Sequence, residues 1–274
     1  MDGDGVTAVQ EKPTLDAGMT AEQAAPLVLT AAANEFAVFL GDLLASDDPD
    51  GPHKSRVALR RLLSALLAFK PIIAADLAAR IKDYFKVIGQ LRDADVLAND
   101  ISGAGEPKTL QVDADRVRRK VRKQLLHKQA GRVARQVEKR FGGTDWRRRT
   151  RAAKALRHGP VSALAAPALD RSWTKCLSHG ADLASMAVAE RHELRKALKN
   201  FRYLCEYFAS LWPDDQAEPF LATLRSLQDD LGKLNDLAMA REHGLVVGDA
   251  NEGTALQCAD AAWTRLAVSA KWWA

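Results

Sequence analysis

Cysteine is scarce in this chain: Cys176, Cys205 and Cys258 are the only three in 274 residues, and no two form a CxxC pair. That excludes a disulfide framework and a thiolate zinc site, and it fits a reducing compartment. Strand signals are equally thin, with no Asn-Gly or Asp-Gly hairpin and little alternation of β-branched residues. No GxxxxGK[ST] or GxGxxG phosphate loop occurs, which removes the basis for an ATP-fed phosphorelay. Neither His53 nor His192 has a His, Cys, Asp or Glu at i+4, so metal ligation has no partner on its own helix. No stretch comes near the roughly 18 apolar residues of a membrane span. The acidic first twenty residues lack the apolar run of a secretory signal. The expectation is a soluble, cytoplasmic protein.

What is abundant is positive charge and helical periodicity. Lys and Arg number 40 against 35 Asp and Glu, and the pI near 9.1 makes a polyanionic partner plausible. The apolar spacing is that of helices almost throughout, so the predicted fold is all-α. A disordered acidic tail is expected over 1–19, ending at Thr20, which reads as an N-cap. Helices are expected from there to about Ala45, then to Phe69, and from about Ala74 to Asn99. Two basic helices follow between Leu110 and His158. Four more are expected at about 165–187, 188–211, 215–244 and 254–273. The aromatic residues Tyr84, Trp173, Trp212, Trp263, Trp272 and Trp273 sit within these patterns as core or interface residues. The terminal Trp272-Trp273 pair is a candidate dimer contact.

Two stretches resemble each other: HKSRVALRRLLSALLAFKP (53–71) and RHELRKALKNFRYLCEYFASLWP (191–213). His53 matches His192, Arg56 matches Arg195, Leu59 matches Leu198 and Arg60 matches Lys199. A second pair, KVIGQLRDADVL (86–97) and DDLGKLNDLAMA (230–241), aligns Gly89 with Gly232, Leu91 with Leu234 and Asp93 with Asp236. The histidine and glycine lie 36 residues apart in one copy and 40 in the other. The same order at similar spacing implies an internal duplication, with a first repeat over about 20–140 and a second over about 160–274. The expected architecture is two helical bundles related by an approximate two-fold.

On a helix, His53, Arg56, Arg60 and Ser64 fall within one stripe, and Leu59, Leu62, Leu63, Leu66 and Phe69 on the other side. In the second copy His192, Arg195, Lys199, Arg202 and Tyr203 share the stripe, opposite Leu194, Leu198, Phe201, Cys205 and Phe208. A solvated face is the ordinary meaning of such a charge run. Here neither stripe carries an acid until Glu206, arginine forks suit phosphate oxygens, and the pattern occurs twice. An anion site is the better reading. Hydrolysis needs paired carboxylates or a metal cluster, and cationic stripes supply neither.

Asp93, Asp95 and Asp236 follow the glycines and are expected to support the stripes by accepting hydrogen bonds from their arginines. Gly89 and Gly232 are expected to permit close helix–helix approach. Between Arg116 and His158 the chain carries 17 Lys and Arg against Glu138 and Asp145. This basic segment either extends the anion site or, in the competing reading, forms the phosphate-contacting surface of a helical nucleic-acid-binding protein.

The quoted motifs, together with LQDDLGKLNDLAMA, resemble those of the CHAD family, the conserved histidine α-helical domain. The resemblance implies two four-helix bundles related by a pseudo-two-fold around a central basic channel. It also implies non-enzymatic binding of inorganic polyphosphate, in some members at polyphosphate granules, with no catalytic residue, metal or cofactor. Carried over by position, the binding residues are His53, Arg56 and Arg60, then His192, Arg195, Lys199 and Arg202, with Arg61 and Tyr203 at the margin. The repeats differ where Asn200 stands opposite Arg61 and Asn235 opposite Arg92. Family members often carry an N-terminal triphosphatase-like domain, for which these 274 residues leave no room; a stand-alone binding domain is the expectation.

Overall fold

The computed structural model describes residues 13–48, 50–74, 77–101, 107–242 and 249–274, apart from the side chains of 92, 93, 95–101, 107–112, 242 and 249–251. Ten α-helices and no strand occur among the described residues, the single β-bridge joining Ile73 to Arg147. The chain divides into two compact units, 20–159 and 160–274, with Leu15–Met19 belonging to the second.

The first unit contains α1 (Ala21–Ala45), α2 (Asp50–Phe69), α3 (Ala78–Ile101), α4 (Pro107–His127), α5 (Val133–Gly142) and α6 (Arg151–His158). Thr20 caps α1 as expected: its hydroxyl accepts from the Gln23 amide at 3.3 Å, and the Gln23 side chain accepts from the Thr20 amide at 2.9 Å. α1 runs against α2 and α5, burying Val28, Leu29, Phe36, Leu40 and Leu43. Each such side chain contributes about 1.5–3 kcal/mol by leaving water. By length and composition α1 is apolar enough to cross a membrane, which corrects the expectation that no segment comes near that threshold. Its apolar face serves packing here, and Glu22 and Glu35 hold ion pairs within the same unit.

The basic region forms three helices rather than two. α4 stops at His127, where Gln129 takes a left-handed conformation (φ 56°) and the chain turns into α5. Many of its cations are structural. Arg122 donates from Nε to the Leu43 carbonyl (2.9 Å) and from Nη2 to the Ser46 carbonyl, and pairs with Asp47 at 2.8 Å. Buried Arg118 stands 3.9 Å from the same carboxylate. Both arginines therefore close the C-terminal end of α1, where exposed carbonyls favour positive charge. At its other end Glu22 receives Arg157 (2.7 Å), Arg147 (2.6 Å) and His158 (3.2 Å). Burial alone would push the Glu22 carboxyl up, but the Arg157 hydrogen bond and the surrounding positive charge hold it below its usual range.

The second unit contains α7 (Ser162–Leu177), α8 (Val188–Phe208), α9 (Asp214–Glu242) and α10 (Asp249–Val268). α7 is shorter than the expected helix over 165–187. The chain leaves it at Gly180, whose φ of 102° admits few side chains, and the Gly180 carbonyl accepts from Trp263 Nε1 at 2.9 Å. Trp173, Phe201, Phe220 and Trp273 form an aromatic core with ring centroids 5.0–6.0 Å apart. Trp272 and Trp273 are buried against it, so the proposed dimer contact is instead the end of the core. Trp273 Nε1 (3.1 Å) and Lys271 Nζ (2.7 Å) both donate to Asp170 Oδ1, latching the C-terminus to α7.

The tail over 1–19 also needs correction, since it is not free as far as Met19. Leu15 is buried, its amide donates to Ser210 Oγ (3.1 Å), and that hydroxyl donates back to the Leu15 carbonyl (3.0 Å). Residues 1–12 of the expected tail lie outside the described residues.

Candidate anion-binding site

In the first unit α2 presents the stripe. Its start is set by Asp48, whose side chain accepts from the Asp50 amide at 2.9 Å. Ser55 Oγ donates to the Phe39 carbonyl (3.0 Å), which fixes the helix's rotation on α1. With Ala58, Leu59, Leu62 and Phe69 buried, His53 is exposed and Arg56 and Arg60 are half-buried. The stripe is shorter than expected, because Ser64 is buried. Arg61 turns to α1 and pairs with Glu35, so its charge is compensated inside the bundle.

α3 supplies the floor beneath these arginines. The Arg56 guanidinium carbon lies 4.6 Å from the centre of the Phe85 ring, and that of Arg60 lies 5.3 Å from it. Gly89 is on the same face one turn later, where a Cβ would stand 2.6 Å from Arg56 Nη1. The glycine accommodates an arginine rather than a helix backbone, which corrects the expected reason for it. Phe85 escaped the sequence reading. Its position four residues before Gly89, on the same helix face, was the available signal.

In the second unit α8 places His192 at the surface and Arg195, Lys199 and Arg202 half-buried. Arg195 Nη2 lies 3.7 Å from where a Cβ on Gly232 of α9 would be. The Nε groups of Arg195 and Arg202 are buried and meet no hydrogen-bond acceptor. Arg202 pairs with Glu206 (3.2 Å) and lies 5.2 Å from the Tyr203 ring centre. Tyr203 itself is only 2% exposed, so it backs Arg202 instead of offering a surface contact.

His192 is oriented by Asn235, whose Oδ1 stands 2.9 Å from the ring Nδ1. The Asn235 amide nitrogen donates to Asp236 Oδ1 at 3.4 Å, which fixes the amide so that Oδ1 faces the ring. An amide oxygen only accepts, so Nδ1 carries a proton, and Nε2 can donate to an anion only when the ring is protonated at both nitrogens. Asp236 thus holds Asn235, and through it the histidine, not a stripe arginine as expected. The side chains of Arg92, Asp93 and Asp95 lie outside the described residues. Lys233 pairs with Asp230 at 2.9 Å, and that hydrogen bond and charge raise its pKa above the usual lysine range. No group of three or more His, Cys, Asp and Glu able to hold a metal occurs among the described residues.

A cationic helix stripe, with an arginine beside a glycine of the following long helix, is therefore present in each unit. The sequence model of the CHAD domain matches residues 27–244.

The chain belongs to the CHAD family.

A solved CHAD domain, from the plant Ricinus communis, superposes with a TM-score of 0.66 at 21% sequence identity, covering 94% of this chain and 90% of that one. That likeness concerns the all-helical fold. Among curated proteins compared with the chain, none matches. The CHAD match takes in both histidine helices and both glycines, Gly89 and Gly232, while α10 lies beyond it.

Proposed function

We propose that this CHAD protein binds inorganic polyphosphate without turning it over. The contacts are His53, Arg56 and Arg60 in the first unit and His192, Arg195, Lys199 and Arg202 in the second. The observation that carries this reading is the recurrence of a half-buried cationic helix face, Arg56 and Arg60 on α2 and Arg195, Lys199 and Arg202 on α8, in both units. Polyphosphate has one charge on each internal unit and no bases, so successive forks can meet successive phosphates with no stacking surface. The duplicated bundles and central basic channel implied by the family belong to this proposal, as do a cytoplasmic location and association with polyphosphate granules.

A nucleic acid is the second reading, favoured by the exposed Arg116, Arg119, Lys120 and Lys123 on α4. Against it, Arg118, Arg122 and Arg157 in the same basic region are engaged within the fold. The test is a titration of long-chain polyphosphate against the wild type and Arg56→Ala/Arg195→Ala, with single-stranded DNA as competitor over a salt series. Polyphosphate binding should weaken steeply with salt through counterion release, and the double variant should lose the preference over DNA. Equal competition by DNA, with loss following Arg119→Ala/Lys123→Ala instead, supports the second reading. Phosphate release on prolonged incubation with a divalent metal would establish an enzyme.

A further inference from the structure

We propose that Phe85 and Gly89 are positioning residues that hold Arg56 and Arg60 in a phosphate-ready arrangement, and that the described residues of the second unit do not repeat this seat. The inference rests on the polyphosphate reading and adds which half of the protein holds phosphate more tightly. α2 supplies the two arginines at i and i+4, and α3 supplies the phenyl ring and the glycine at i and i+4. Both pairs therefore lie on single helix faces and meet one another.

The chemistry of the seat follows from the guanidinium's shape. Its flat face is weakly hydrated and stacks on an aromatic ring, while its N–H groups point outward in the plane. Phe85 lies within 4.6 Å of the Arg56 centre and 5.3 Å of the Arg60 centre, so one ring steadies both forks. Gly89 completes the seat, because a methyl there would stand 2.6 Å from Arg56 Nη1. The neighbour that must yield is the end of a flexible side chain, so the substitution moves the arginine and leaves the helices in place. Fixing long side chains before binding removes ordering cost from the binding step.

The second unit departs at both positions. A Cβ at Gly232 would lie 3.7 Å from Arg195 Nη2, an ordinary contact. Gln228, four residues before Gly232 as Phe85 is before Gly89, is buried and donates to the Leu198 carbonyl at 2.9 Å. It anchors α9 to the α8 backbone, and as an amide it offers no aromatic face to a guanidinium.

The experiment compares polyphosphate affinity and thermal stability of the full chain carrying Gly89→Ala, Gly232→Ala, Phe85→Leu, Arg56→Ala or Arg56→Ala/Gly89→Ala. Gly89→Ala should lower affinity about tenfold, the scale of one charge-assisted hydrogen bond. Its melting temperature should hold or rise, since alanine is the better helix former. Phe85→Leu should weaken binding in the same direction, and Gly232→Ala should stay near wild type. In the Arg56→Ala background, Gly89→Ala should add nothing, because the glycine acts through that arginine. Gly89→Ala with wild-type affinity overturns the proposal, as does an effect that persists without Arg56 or a marked loss of stability. Side-chain NMR of ligand-free protein gives a separate arm, in which Arg56 Nε should become more mobile in Gly89→Ala. If the wild type does not bind polyphosphate, the functional reading fails by itself, and unchanged Arg56 mobility would then sink the seat as well.

Discussion

Asn235 Oδ1 accepts a hydrogen bond from His192 Nδ1 at 2.9 Å, and Asn235 stands where the first repeat has Arg92. The departure from symmetry exchanges a cation for a group that orients the histidine. Asn235→Ala should therefore weaken polyphosphate binding by about fivefold, the worth of one neutral hydrogen bond of roughly 1 kcal/mol. Asp236→Asn should give a smaller loss, because it acts one bond further away. Nitrogen NMR of the His192 ring checks the cause: a tautomer mixture unchanged by Asn235→Ala would show that the asparagine does not set it.

Arg122 lies in the basic region yet closes the end of α1. Arg122→Ala should destabilise the protein by about 1–2 kcal/mol through lost capping and helix-end charge. Urea unfolding measures this, and polyphosphate affinity should be unchanged. A variant of full stability with impaired binding would instead put Arg122 in the site.

Acid should loosen the start of α1. Glu22 has a folded-state pKa below its usual 4.5, so the folded protein binds fewer protons there than the unfolded chain does. Its contribution is complete above that ordinary value and disappears as pH falls through the lowered one. Glu22→Gln should melt lower than wild type at pH 7, and the difference should close below about pH 4. Parallel melting curves across the whole range would show that the cluster around Glu22 contributes nothing to stability.

Trp273 packs against Phe201, Phe220 and Trp272 and donates to Asp170. Trp273→Ala should cost about 3–5 kcal/mol, the usual scale for emptying an aromatic core position. Sedimentation should give the same mass for the soluble variant and the wild type. A fall in mass would make the C-terminus an interface after all.

Much of this was legible in the chain. The 3.6-residue period carried the helices, because each must bury one stripe, and Gly159-Pro160 stands at the division between the two units. The stripes of His53, Arg56 and Arg60 and of His192, Arg195 and Lys199 followed from the same period. Less legible were partners brought from other helices. Arg61 reads like its neighbour Arg60 in sequence, yet about 100° of helical rotation turns it to Glu35. Tyr203 belongs to the stripe by spacing and is buried by the same rotation.

The sequence by itself determined that the protein is all-helical, carries a repeated cationic helix and belongs with CHAD proteins, since periodicity and motif order are properties of the chain. Only the tertiary structure decided which cations are available and what holds them. Arg118, Arg122 and Arg157 became supports for α1, while Arg56 acquired Phe85 and Gly89 as its seat. A charge's role depends on what lies within a few ångströms, and those neighbours come from helices distant in sequence.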